Sequence, residues 1–374
     1  MTDPAAHLDL LVAMMSRDAP GVSAVIDRSG AEVLASFGAF ARRNQLSGFV
    51  HTLVADPAFE APLPAALRGG LQRRHAMESR KRELLLAELV RVTEAFHAAG
   101  VACIVLKGPA LATRYYGSED RRSYWDLDLL VRQDDLARCR RVLRDLGFQR
   151  LSPMLFGERI SLAVAHALDF SRNEVGLDLH WKLSNHPSFR IDYRRVWERA
   201  ERGLLSGRTC SVLSPDYLLT LVLLSSFKDI ERGALRLRSF VDLWMILDRI
   251  EADLEWAPFL AERSDENIRV ICVSVLALFL VVFQAETRFP HLAQALTSEP
   301  DVARVPTRAA ALQLIEPTFL GPARRLWASG LYETSRARHL IWWALSLPVR
   351  LNVHKPGKVK RLSDALRAWL RRHR

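Results

Sequence analysis

The sequence predicts an α+β protein: a strand-rich centre over residues 100–212 lies between an N-terminal helical region (1–99) and a C-terminal helical domain (213–374). Two observations predict this. The apolar period is helical up to Gly100, switches to short β-branched runs bounded by turns, and returns to helical after Pro215. The length of 374 residues and the hydrophobic fraction of 49% allow two domains and a sizeable core.

Taken in order, "AEVLASFGAFARRNQLSGFVHTLV" has helical periodicity, and the Pro-rich "DPAFEAPLPAALRGG" interrupts it. Residues 71–99 follow as a long amphipathic helix with Leu84, Leu85, Leu89, Val92 and Phe96 on its apolar face, stopped by Gly100. "VACIVLKG" (101–108) reads as a buried strand, and Pro109 opens a helix in "PALATRYYG" because its missing N–H costs nothing in a first turn. "YWDLDLLVR" is a second strand. In "DDLARCRRVLRDLGF" the helix dipole favours Asp134 and Asp135 near the start, and Gly147 ends the helix. "ALDFSR" (167–172) and "EVGLDLHWKLS" (174–184) form a hairpin about Asn173 and Glu174. The rest is helical, including "VICVSVLALFLVVF" (270–283), which falls short of the roughly 20 residues of a membrane span and reads as a buried helix.

Four scattered cysteines without CxxC spacing exclude a zinc ribbon or a disulfide framework and fit a reducing cytoplasm; no secretory signal is visible. The net charge of +11 is concentrated towards "HKPGKVKRLSDALRAWLRRHR", so polyanions or an anionic surface are contacts for this basic tail, with a solubilising role as the alternative. Trp342 and Trp343 just before it read first as core.

The chemistry lies in the centre. On a strand, residues i and i+2 share a face, so Asp126 and Asp128 project together while Leu127 and Leu129 point to the core. Two like charges this close are costly unless the strand is half exposed or a divalent cation neutralises them. Three features favour the cation. "VLKGPAL" places Lys107 and Gly108 at a turn suited to phosphates. "GLDLHWK" sets Asp178 and His180 on one face of a later strand, supplying a third carboxylate. Arg122 lies four residues before Asp126, at the mouth of the same site. Each has a structural alternative: Lys107 capping strand-end carbonyls, Arg122 pairing with Asp126 or Asp128, and His180 orienting Asp178. Of Tyr115 and Tyr116, one packs and one reaches towards the site.

The stretch "LKGPALATRYYGSEDRRSYWDLDLLVRQDDLARCRRVLRDLGF", followed by "GLDLHWKLS" and "RLRSFVDLWMIL", resembles a large bacterial group of nucleotidyltransferase-fold proteins over residues 84–245. The resemblance implies a polymerase-β-like core, a small mixed sheet with flanking helices. It also implies transfer of an NMP from an NTP such as ATP to an acceptor (protein, peptide, small molecule or RNA), with Mg²⁺ or Mn²⁺ as cofactor. Asp126, Asp128 and Asp178 would be the metal-binding, catalytic carboxylates, and Lys107, Gly108, Arg122 and Lys228 would contact nucleotide phosphates. His180 and Asp242 would support them. Better-known members have Gly-Ser at the turn and a shorter gap to the aspartates, where this chain has Gly108-Pro109 and a longer gap. That departure favours an alternative, a non-catalytic nucleotide- or anion-binding module acting through a partner protein.

Overall fold

The computed structural model describes residues 4–315 except 58, 60–62, 152–161, 163–164, 187, 233–235, 301 and 303–304. The basic tail, Trp342 and Trp343 lie outside the described residues.

Five helices come first: α1 (Pro4–Met15), α2 (Ala19–Ser29), α3 (Glu32–Arg43), α4 (Ser47–Val54) and the long α5 (Ala65–Ala98). The last starts earlier than the periodicity predicts, and Leu84 is 44% exposed rather than on its buried face. The buried positions Leu85, Leu89, Val92 and Phe96 follow 3- and 4-residue steps, and Leu84 lies off that stripe.

The centre is a seven-stranded mixed sheet of β1 (Cys103–Val105), β2 (Asp126–Val131), β3 (Gln149–Arg150), β4 (Ala167–Arg172), β5 (Val175–His180), β6 (Glu201–Leu205) and β7 (Arg208–Val212), in the order β3-β4-β5-β2-β1-β7-β6. β2 runs antiparallel to β1 and parallel to β5, while β4 and β5 form the expected hairpin. Asn173 takes a left-handed φ of 52° in its turn. The β6–β7 hairpin is not evident from apolar alternation, because only Leu205 and Val212 of its strands are buried. Its turn is legible in Ser206 and Gly207, which have φ values of 47° and 75°. Short α6 (Pro109–Tyr115), α7 (Leu136–Asp145) and α8 (Tyr193–Glu198) connect the strands.

Period-2 alternation divides the sheet between two cores. Leu127, Leu129, Val131, Leu177 and Leu179 pack on the layer that contains Leu85, Leu89, Val92, Phe96 of α5 and Cys139, Leu143 of α7. On the other face Ile104, Leu106 and Leu130 join a larger core shared by the N-terminal helices and by α9 (Pro215–Arg232), α10 (Leu237–Ile250), α11 (Trp256–Asp265), α12 (Arg269–Phe283), α13 (Pro290–Thr297) and α14 (Arg308–Ile315). Asp126 and Asp128 belong to this second face, the side of the sheet on which the helical domain lies. The apolar run of α12 is buried there, and among the described residues no helix is long and apolar enough to cross a membrane.

Candidate active site

Register places the carboxylates. Asp128 of β2 is the direct partner of Asp178 on β5, which is the direct partner of Asp169 on β4. Three aspartates thus form one row across three neighbouring strands. Asp126 faces Gly176, which has no side chain to fill the space beside it, and stands exposed at the mouth of the cleft. His180 lies two residues beyond Asp178 on the same face, and its Nε2 is 3.0 Å from Asp128 Oδ1. An ionised carboxylate only accepts, so Nε2 carries the proton. From the turn after β1, Lys107 Nζ reaches to 3.6 Å from Asp128 Oδ2. The Leu106 N–H donates to the Asp128 carbonyl at 3.0 Å, extending the β1–β2 pairing up to that turn. Gly108 then takes φ 56° and ψ −111° with Tyr124 against it, a backbone position that favours glycine.

The charges in the row are unequal. Burial opposes ionisation of Asp128, but Lys107 and the hydrogen bond from His180 outweigh it and hold its carboxyl well below the usual range. Burial and the negative Asp128, Asp169 and Asp126 push the Asp178 carboxyl up to about 8. Asp126 is raised too, by its surroundings and by Asp128, although solvent reaches it. The row holds more negative charge than its cations neutralise, so it favours a proton or a cation.

The donor set fits a divalent cation. One ligand atom each from Asp128, Asp178 and His180 lies within 4.8 Å of the others. The second ring nitrogen of His180, Nδ1, is buried and has no hydrogen-bond partner. Oxygen donors suit Mg²⁺ and Mn²⁺, and an imidazole nitrogen is a further donor compatible with the latter.

The other sequence candidates lie around this row. Lys228 of α9 approaches His166 Nε2 at 3.3 Å, and both line a pocket that also reaches Lys107 and His180. Arg122 is not at the mouth of the cleft. It is 4% exposed, and its Nε and Nη2 donate to Asp242 at 2.7 and 2.8 Å, with the Tyr116 hydroxyl donating to the same carboxylate at 2.6 Å. Neither Asp126 nor Asp128 is the partner, because Asp242 on α10 supplies a bidentate match from the covering helices. Tyr115 and Tyr116 are both buried, and neither opens on the cleft.

Two residues escape sequence reasoning. Asp169 sits in "ALDFSR", where its place opposite Asp178 depends on hairpin register. Arg238 donates weakly to the Ser123 carbonyl at 3.4 Å, has a buried Nε without a partner, and is held below its usual basicity by burial and by Arg122 beside it.

A family model described as uncharacterised nucleotidyltransferase matches residues 35–284, two-thirds of the sequence, and spans the whole carboxylate row. The chain belongs to this nucleotidyltransferase family. No curated protein sequence matches it significantly. Among solved structures, the antibiotic-resistance factor ANT(2″)-Ia is similar to this nucleotidyltransferase-family chain at 13% identity and a TM-score of 0.35, in solution and in a crystal with adenylyl-2″-tobramycin. These matches cover 48% of this chain and 91% and 97% of the respective neighbours. An antigenic nucleotidyltransferase-like protein from Paracoccidioides brasiliensis is 18% identical with a TM-score of 0.34, over 59% of this chain and 94% of that one.

Proposed function

We propose that this protein is a divalent-metal-dependent nucleotidyltransferase that moves an NMP from an NTP to an acceptor hydroxyl, and that residues 100–212 are its catalytic core. The observation behind this reading is the row of Asp128, Asp178 and Asp169 with His180 at its end, in a chain of this family. Mg²⁺ or Mn²⁺, when bound, supplies Lewis-acid stabilisation of phosphate charge.

Each residue has a separate task. Asp128, Asp178 and His180 hold the cation, with Asp126 completing the set from the mouth. Lys107 keeps Asp128 ionised and offers charge to a phosphate at the Gly108 turn, and Lys228 offers charge to a phosphate from the helical domain. Asp178, a carboxyl that readily holds a proton in this environment, accepts the proton of the acceptor hydroxyl. Arg122 acts indirectly, by tying α10 to the segment that enters β2. A cytoplasmic location is the reading that four scattered cysteines without disulfide-framework spacing support.

The test is release of pyrophosphate from each NTP with pooled candidate acceptors (small molecules, peptides, protein and RNA). Turnover is expected with Mg²⁺ or Mn²⁺, and is expected to vanish in EDTA and in Asp128→Asn. Metal-independent binding of NTP without turnover, unchanged in Asp128→Asn, would instead support a non-catalytic binding module, the reading that the Gly108-Pro109 turn favours.

A further inference from the structure

Beyond the carboxylate row, the C-terminal ends of β2 and β5 open on a groove of about 480 Å³ that none of the foregoing chemistry uses. Its walls include Arg132, Trp181, Lys182, Tyr193 and Trp197. We propose that this groove is a second binding site whose ligand is a nucleotide unit, an aromatic base carrying a phosphate.

The argument starts from charge. Arg132 is exposed and stacks over Trp197, its guanidinium carbon 4.6 Å from the ring centre. Stacking occupies the flat face of the guanidinium and leaves its N–H edge available to an anion. Lys182 lines the same groove, and among the described residues neither Arg132 nor Lys182 has a carboxylate within ion-pair distance. The acidic groups here do not cancel them: Glu198 is held by Arg194 at 3.0 Å, which leaves Asp134 as the one rim carboxylate set against two cations.

The second observation is aromatic. Trp181 lines the groove while only 4% exposed, and its buried indole N–H has no hydrogen-bond partner. Tyr193 is fixed by the Leu183 N–H, which donates to its hydroxyl at 2.8 Å. Rigid aromatic faces interleaved with basic side chains are the chemistry that stacks a base while holding its phosphate.

Val131 is three residues beyond Asp128, about 10 Å at a strand rise of ~3.3 Å per residue, while Trp181 directly follows His180, so the groove borders the ligand row at its His180 end. Binding there requires no cation, so the site stands whether or not the catalytic reading does.

The experiment uses the full chain in EDTA, with two probes: labelled AMP in equilibrium dialysis, and a fluorescein-labelled hexauridylate RNA followed by anisotropy. Wild type is expected to bind without any divalent cation. Arg132→Ala/Lys182→Ala is expected to weaken binding by about tenfold or more while keeping the wild-type melting temperature. AMP and RNA binding together identify the site as one for free nucleotide; RNA binding alone identifies it as one for a nucleotide within a strand. The proposal is overturned if neither probe binds, or if the Arg132→Ala/Lys182→Ala protein binds as wild type does.

Discussion

Asp178→Asn is expected to make the metal-free protein more stable at pH 7–8 while lowering turnover by roughly 10²–10⁴-fold. The stability half follows from linkage. The Asp178 carboxyl is raised to about 8 in the folded protein from an ordinary value of 3.8, chiefly by burial and by Asp128, Asp169 and Asp126. The folded state therefore binds more protons than the unfolded chain between those limits, and wild-type stability falls as pH rises through that window. At about 1.4 kcal/mol per pH unit of differential protonation, the penalty at pH 7–8 reaches a few kcal/mol. A neutral amide escapes it. Melting curves in EDTA should show the variant's advantage growing from pH 5 to pH 8, and added Mn²⁺ should stabilise wild type more than the variant. A variant destabilised equally at every pH would show that the row carries no excess charge.

The second large effect is expected at Asp242. Replacement by alanine should cost about 3–5 kcal/mol in a denaturant titration, because it leaves Arg122 buried without its carboxylate and close to the like-charged Arg238. Burial works against ionisation of Asp242, but Arg122 and its hydrogen bonds hold the carboxyl below the usual range. That contribution to stability is present above the ordinary carboxylate range and is lost as pH falls through the lowered folded value. Arg122→Met/Asp242→Leu, which removes both charges, should recover most of the loss. If Asp242→Ala costs less than about 1 kcal/mol, α10 is not anchored through this pair.

The contrast between these two sites shows what local sequence can reveal. Period-2 alternation put Asp126 with Asp128 and Asp178 with His180, because side-chain direction on a strand is fixed by parity. It could not show that β2 and β5 are adjacent with Asp128 opposite Asp178, since a parallel pairing across about fifty residues has no local signature. Asp169 became visible only with the register of the β4–β5 hairpin. Arg122 looked like a residue of the cleft because Asp126 follows it by only four residues, whereas its partner is 120 residues away on a covering helix. The β6–β7 hairpin escaped because its strands bury so little, although the turn residues Ser206 and Gly207 were in plain view.

The central claim is that Asp128, Asp178 and His180 form a divalent-cation site. Titration of Mn²⁺ into the protein, with free ion followed by electron paramagnetic resonance, tests it without knowledge of the acceptor. Wild type is expected to take up Mn²⁺ more tightly in the presence of a non-hydrolysable NTP, with uptake lost in Asp128→Asn and Asp178→Asn and weakened in His180→Ala. Equal uptake by wild type and both aspartate variants would contradict it.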